Sequence, residues 1–510
     1  MSDVASRPGR IRSSPASPHP SSTHPARQRM RPPELGPVGR ALRRFAAAHT
    51  GPVPFPLVGG VLGVGAAVAL LVVGHRPGLG LALAVPLIWA PAVPTLVRAR
   101  EWSRLLTAAL ALALGAMAAV RAAEWVVALC LLAAFVLSAV AATGARSPLG
   151  IVLATPTLPA AAARATRWLT SGVSHAATGR RSEVLRWLRT AVVTLILVVV
   201  FTALLASADA VFATLVPSLD LMRLPGQVVA GVLAASGALA IASLAVRRPT
   251  WARVRLPRPA ASGRAEWFVP VLALDALMLA FLLTQVVAAS GGESYVRRTA
   301  GLSYAEYARA GFGQLVVVTA LTLALVAWFA RRAPREERHD RMAATTALGM
   351  LCGGAVGVVV TALGRMALYV QAYGLTELRL LATAGEIVMG ATLVMVLAAG
   401  VRWRARWLPL AVLRVAGLLV LALALVNPDA QMVRYNTQIL EVPVDVRHLE
   451  QLSLDAVPTI AGLEDPLRSC LLQSYGVPEP SSIWEWNLAR ERAAAALDDV
   501  PIAPRCTRSF

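Results

Sequence analysis

The chain has 510 residues, 56% of them hydrophobic and 15% charged, with a mean hydropathy of +0.61 and a formal net charge of +21. A soluble globular chain carries about 25% charged residues, so an ordinary soluble domain is excluded. All 49 basic residues are arginine, and they fall in alternate segments of the chain, which argues for membrane topology and against a nucleic-acid surface.

Residues 1–50 are rich in Pro, Ser and Arg. They are expected to form a disordered basic tail. The first apolar run begins near Val53, too far in for an ordinary signal peptide, so no cleavage is expected. Runs near 20 residues, the length that crosses about 30 Å of hydrocarbon as a helix, then recur eleven times. They cover 54–73, 78–97, 104–120, 123–143, 190–207, 225–246, 266–289, 311–330, 342–363, 380–401 and 408–426. The fold class is therefore all-α, a polytopic transmembrane bundle over 51–426. Residues 427–510 are polar and read as a small helical extracytoplasmic segment.

Arginine distribution sets the orientation. With the N-terminus inside, the inner segments hold 33 arginines against 8 acids, and the outer ones 15 against 18. The bias holds at each turn of the chain, predicting a cytoplasmic N-terminus and an extracytoplasmic C-terminus in a bacterial plasma membrane. Trp102, Trp125, Trp187, Trp251, Trp267, Trp328, Trp403 and Trp407 fall near span ends, where amphipathic rings suit the headgroup region. Residues 149–163 are apolar but contain Pro156 and Pro159, and read as an interfacial segment. Gly374 followed by Thr376 predicts a helix stop and a fresh start, hence a bend before the tenth span. Ser303 with Glu306, and Ser482 with Glu485, have capping-box spacing. The second pair predicts a helix to about Leu497, with others over 446–457 and 463–474. Gly59 with Gly63, and Gly349, Gly353 and Gly357, have the spacing that lets helices approach closely.

The residues that bear chemistry are few. None of the seven histidines lies inside a span, which removes bis-histidine haem ligation and an HExxH zinc site. No phosphate-binding glycine loop or nucleophile elbow is present; no metal or cofactor is expected, and an enzyme is disfavoured. Three ionisable residues fall inside spans: Asp275, Glu386 and Arg414. A charge at the middle of a membrane helix costs about 2.5–3.5 kcal/mol on insertion scales. The carboxylates are thus either an ion or proton relay, or partners of Arg414 in an internal ion pair. On the outer side, Arg365, Tyr369 and Tyr373 share one helix face at i, i+4, i+8 and join Glu377 and Arg379. Tyr304, Glu306, Tyr307 and Arg309 of the preceding outer loop can pack against them. This patch is either a ligand or lipid-headgroup site, or an interfacial aromatic belt. Cys130 and Cys352 lie in spans, whereas Cys470 and Cys506 lie in the extracytoplasmic segment, where a disulfide between them would persist.

Several phrases carry a family resemblance: ASADAVFATLV at 206–216, SYAEYARAGFGQL at 303–315, RMALYVQAYGLTELRL at 365–380, LVNPDAQMVRYN at 425–436, LSLDAVPTI at 452–460 and WEWNLARERA at 484–493. Together they resemble the bacterial membrane family known as domain of unknown function 4173, with the related 4153 group. Members usually read AERYN or similar after NPD, and here only Arg434, Tyr435 and Asn436 keep that ending. The resemblance implies a membrane protein and carries over no activity. Its phrases concentrate on the outer side, so the expected role is non-enzymatic (sensing, scaffolding or envelope-related). The expected partner besides the bilayer is an envelope protein or lipid. A secondary transporter using Asp275 or Glu386 is the first alternative. An enzyme acting on a lipid-linked substrate through Asp209, Asp220 or Glu306 is the second.

Overall fold

A computed structural model describes residues 55–179, 222–246, 263–300, 311–334, 337–403, 405–439, 444–476 and 482–499, with isolated positions elsewhere. Among the described residues there are helices and turns and no strand. Eight described helices are long and apolar enough to cross a membrane. They correspond one to one with eight of the eleven expected spans. The expected fifth span, 190–207, lies largely outside the described residues, as do Trp187, Trp251 and the Ser303–Glu306 pair.

The first two expected spans take a different form. The helix Phe55–Val72 (α1) is apolar throughout but falls just short of the eight. The second is broken into Leu79–Trp89 (α2) and Val93–Arg98 (α3). Eleven residues of α-helix rise roughly 16 Å, about half the hydrocarbon thickness. Pro91 and Pro94 account for the break, since each lacks the amide that an unbroken helix needs, whereas Pro86 is accommodated inside α2. Trp102–Ala116 (α4), continued by a 3-10 turn at Met117–Ala119, and Glu124–Thr143 (α5) follow as expected.

Residues 149–163, expected as an interfacial segment interrupted by proline, are not interrupted. They belong to a continuous helix, Pro148–Gly179 (α6), with both prolines inside it. Ala154, Leu158, Ala161 and Ala165 are buried at helical spacing, in clusters shared with α2, α5 and Leu224–Val246 (α7). That burial outweighs the local breaker signal, as it commonly does in membrane helices.

The second group comprises Arg264–Ala300 (α8), Phe312–Arg332 (α9), Arg338–Tyr373 (α10) and Glu377–Val401 (α11) around one apolar cluster. At 36 residues α10 is about 54 Å long and carries Tyr369 and Tyr373 past any single crossing. It ends as expected: Gly374 takes φ +80°, and α11 begins at Glu377. Leu408–Leu425 (α12) packs against α11 on one side and against α4 and α5 on the other, joining the two groups.

Close approaches coincide only in part with the expected glycine pairs. Of the expected set, Gly357 is in close contact, where a Cβ would lie 2.8 Å from Leu282 of α8, while space around Gly59, Gly63, Gly349 and Gly353 is open; a Cβ on Gly65 would lie 2.6 Å from the Gly231 carbonyl oxygen. The α1–α7 crossing depends on that pair of small residues. Trp102, Trp328 and Trp407 are exposed as an interfacial belt requires, but Trp267 is 1% exposed and belongs to the α8–α11 core.

Buried arginines close helix ends. Arg104 donates to the carbonyls of Ala141, Ala142 and Leu244. One guanidinium thereby satisfies the C-terminal ends of both α5 and α7, where the helix dipoles favour a cation.

Candidate functional site

The three intramembrane ionisable residues do not converge. Arg414 on α12 bonds α4 instead, donating to the Thr107 hydroxyl at 2.8 Å, the Ser103 hydroxyl at 2.8 Å and the Ser103 carbonyl. It is part of the first helix group, while Asp275 and Glu386 belong to the second, so the ion pair offered by the sequence is not formed. Glu386 is fully buried and accepts from the Thr319 hydroxyl at 3.2 Å through Oε1. Its Oε2 and both oxygens of Asp275, which is 7% exposed, have no hydrogen-bond partner among the described residues.

The aromatic patch is partly assembled. Tyr369 and Tyr373 meet edge-to-face at 5.1 Å, and the Arg379 guanidinium lies over Tyr369, 4.2 Å from the ring centre. Arg379 also donates to the carbonyls of Tyr373 and Gly374, closing the C-terminal end of α10. Arg365 donates to Gln285 of α8 at 3.0 Å. Tight packing beside it explains Gly311: φ is +94°, and a Cβ there would sit 2.8 Å from Arg365 Nη1. Glu377 opens α11. Tyr304, Glu306, Tyr307 and Arg309 lie outside the described residues. On the arginine-rich end, His339 lies 3.1 Å from Glu337 and 3.5 Å from Asp340. Glu337 and His339 of this group are exposed and Asp340 is buried.

The C-terminal segment folds into short helices: Pro428–Arg434 (α13) with a π-helical turn at Tyr435–Ile439, Val446–Leu449 (α14), Val457–Ala461 (α15), Leu467–Leu472 (α16) and Leu488–Asp499 (α17). The expected helices 446–457 and 463–474 are shorter than predicted, reduced to Val446–Leu449 and Leu467–Leu472; Pro466 sets the start of the second, and Pro458 sits in the first turn of the separate helix Val457–Ala461. Its own core contains Met432, Leu449, Val457, Ile460 and Leu471, all fully buried. Tyr475 ties α14 to the following loop by donating to the Leu449 and Leu452 carbonyls at 3.0 and 3.1 Å. Burial holds its hydroxyl well above the ordinary phenol range, with the charges of Asp429 and Glu450 adding to the shift. At the exposed Asp465, the Ser469 hydroxyl holds the carboxyl below its usual range. Cys470 is disulfide-bonded, Cys130 and Cys352 are free and buried, and Cys506 lies outside the described residues.

This segment is latched to the bundle by buried polar groups. Asp455, 3% exposed, accepts from the backbone amides of Ala122 and Ala123 at 2.6 and 2.8 Å and from Arg121 Nη1 at 3.2 Å. Those amides precede α5, so the carboxylate caps that helix from a distant part of the chain, where the dipole favours an anion. Arg121 in turn donates to the Ala424 and Leu425 carbonyls at the end of α12, at 2.6 and 2.7 Å. Asp429, 1% exposed, accepts from the amide and hydroxyl of Ser453 and from Trp125 Nε1. Asn427 donates to the Asp455 carbonyl at 3.0 Å.

Two further asparagines complete the latch. Asn436 exchanges both amide bonds with the Leu375 backbone, between α10 and α11, at 2.6 and 2.9 Å. Asn487 donates to the Ala118 and Arg121 carbonyls while its oxygen accepts from Ala489 and Arg490. The N-cap of the last helix is therefore Asn487, and Ser482 does not take that role. Ser482 and Glu485 lie instead 3.2 and 3.4 Å from His75 Nδ1, at the bend between α1 and α2. Arg490 donates to the Pro77 carbonyl at 2.6 Å.

A cavity of about 290 Å³ remains in the seam, with Arg121, Arg434 and Arg492 in its lining against the single carboxylate of Asp455. Sequence reasoning weighed none of these seam residues individually. Their signal was present in the phrases LVNPDAQMVRYN, LSLDAVPTI and WEWNLARERA, where Asn and Asp recur directly after apolar runs. Their shared destination depends on the fold.

Comparison with known proteins assigns a family and no activity. The family model described as Domain of unknown function (DUF4153) matches residues 86–463. That range takes in the latch from Arg121 to Asp455. No curated protein and no solved structure matches the chain.

Proposed function

We propose that this chain, which belongs to the DUF4153 family, is a non-enzymatic membrane protein working through the face that carries its C-terminal cap. The observation that carries the reading is the buried Arg121–Asp455–Asp429 latch. Charges are expensive to bury, and breaking such a pair costs about 3–5 kcal/mol. The cap is thus held in a fixed pose over the helix ends, as a docking or sensing surface requires. The face it covers is formed by the bends at 73–78, 117–123 and 374–376, which all fall in the outer set of segments, the set that holds 15 arginines against 33 in the inner one. The arginine bias supports an extracytoplasmic position for that face in a bacterial plasma membrane, and thus a sensing, scaffolding or envelope-related role. We include the finer grouping with the related 4173 family in the same proposal.

Sidedness tests it directly. A cysteine introduced at exposed Glu464 should react with a membrane-impermeant maleimide in intact cells. Labelling that requires permeabilised cells would place the cap inside and overturn the reading.

A second reading, a secondary transporter, draws on one observation: Asp275 and Glu386 are buried without a cationic partner. Such residues commonly mark ion or proton pathways. Glu386→Gln keeps the Thr319 bond, so in proteoliposomes it should abolish coupled proton flux while leaving the fold intact. Equal flux in wild type and variant would remove this alternative.

A further inference from the structure

We propose that the seam cavity is a phosphate-binding site, with Arg434 and Arg492 as the groups that hold the anion. The inference deepens the reading of the cap as the working face, and rests on it for the side of the membrane from which the ligand arrives.

The charge in the cavity is unbalanced in a specific way. Arg121 is engaged by two carbonyls and Asp455, and Asp455 accepts from Arg121 and two amides. Asp429, behind the wall, is taken up by Ser453 and Trp125. That leaves the guanidinium groups of Arg434, at the end of α13, and Arg492, on α17, which make no hydrogen bond or ion pair among the described residues. Both line the same cavity. They come from different helices that the latch holds at a fixed spacing, so the backbone positions of both arginines are set before any ligand binds, and their exposed side chains close on it from two sides. Guanidinium groups match phosphate oxygens in pairs of parallel hydrogen bonds, and two of them neutralise a phosphate dianion or over-neutralise a phosphodiester.

Size and position narrow the class. At about 290 Å³ the cavity is at the lower end of the usual range for ligand pockets, roughly 300–1,000 Å³, so it suits a headgroup better than a large metabolite. Its bundle-side wall is apolar, formed by Val120, Leu425 and Val426 at the ends of α4 and α12. Leu425 and Val426 are both more than half exposed. A span end is the level at which lipid phosphates lie. The cavity thus joins a cationic floor to an apolar lip, the complement of a phosphate carrying an acyl chain. A free phosphate has the same polar chemistry without the chain.

The test uses the full-length protein in detergent and two probes, inorganic phosphate and a short-chain phosphatidylglycerol, with binding read by thermal shift and native mass spectrometry. Both probes are run against wild type, Arg434→Gln/Arg492→Gln and Arg434→Lys/Arg492→Lys. The expected result is saturable binding to wild type, at least tenfold weaker in the Gln double variant and partly restored by Lys. Binding of the lipid alone identifies a headgroup ligand, and binding of phosphate alone a free anion; either supports the site if the Gln variant loses it. Binding to neither probe, or equal binding to wild type and the Gln variant, overturns it. Neither arginine is part of the latch, so a lost ligand with an unchanged cap-protection pattern sinks only this inference. An inward-facing cap sinks the preceding reading while leaving the binding assay valid.

Discussion

Replacing Asp455 with Ala is the perturbation that most directly probes how the cap is held. The substitution removes the carboxylate that pairs with Arg121 in the seam and leaves the Ala122 and Ala123 amides without their acceptor. Arg121 keeps the Ala424 and Leu425 carbonyls, which limits the loss. Breaking a buried pair costs about 3–5 kcal/mol, and each stranded buried donor about 1–3 kcal/mol. These overlap because one carboxylate serves all three groups, so about 3–5 kcal/mol is expected for the whole. At about 1.4 kcal/mol per factor of ten, the undocked cap becomes populated by two to four orders of magnitude more than in wild type. The assay is limited proteolysis in lipid nanodiscs, following cleavage after Arg447 and Arg468, with hydrogen exchange at Ala122 and Ala123. Asp445→Ala serves as control, since that exposed residue only caps α14 through the His448 amide and should cost about 1 kcal/mol. Cleavage rates for Asp455→Ala no greater than for the control would refute the argument that this carboxylate fastens the cap.

Arg414→Met should cost no more than about 1–2 kcal/mol in thermal unfolding, because the Thr107 hydroxyl already has the Ser103 carbonyl as a fallback at 3.0 Å. A much larger loss would mean that the guanidinium balances a buried charge. Tyr475→Phe deletes the bonds to the Leu449 and Leu452 carbonyls, leaving Leu449 only its long bond from the Leu452 amide at 3.4 Å, and should cost about 1–3 kcal/mol, read as a lower denaturant midpoint of the cap. Cys470→Ser removes a disulfide and should lower cap stability by roughly 3–4 kcal/mol. Non-reducing peptide mapping of wild type should show Cys470 joined to Cys506.

Continuous apolar runs set out the helices of the membrane domain. The eight crossing helices were legible because a 20-residue apolar run has few other ways to satisfy its backbone in lipid. The stop at Gly374 was legible too, since a positive φ suits glycine. Arginine counts likewise predicted which bends share a side, and the cap binds three that share the arginine-poor side. Local chemistry failed where a distant partner decided the outcome. Pro156 and Pro159 sit inside α6 because their neighbours are buried between helices. Trp267 left the interface for the core of the second helix group. Arg414 found Ser103 and Thr107 on a neighbouring helix, and no pattern within its own span announces them. The seam shows the same division more sharply. Asn427, Asp429, Asp455 and Asn487 read in sequence as scattered polar residues after apolar runs, but Arg121 lies over 300 positions from Asp455. Only the tertiary structure brings them together, because the worth of a buried charge depends on which helix end and which counter-charge it meets.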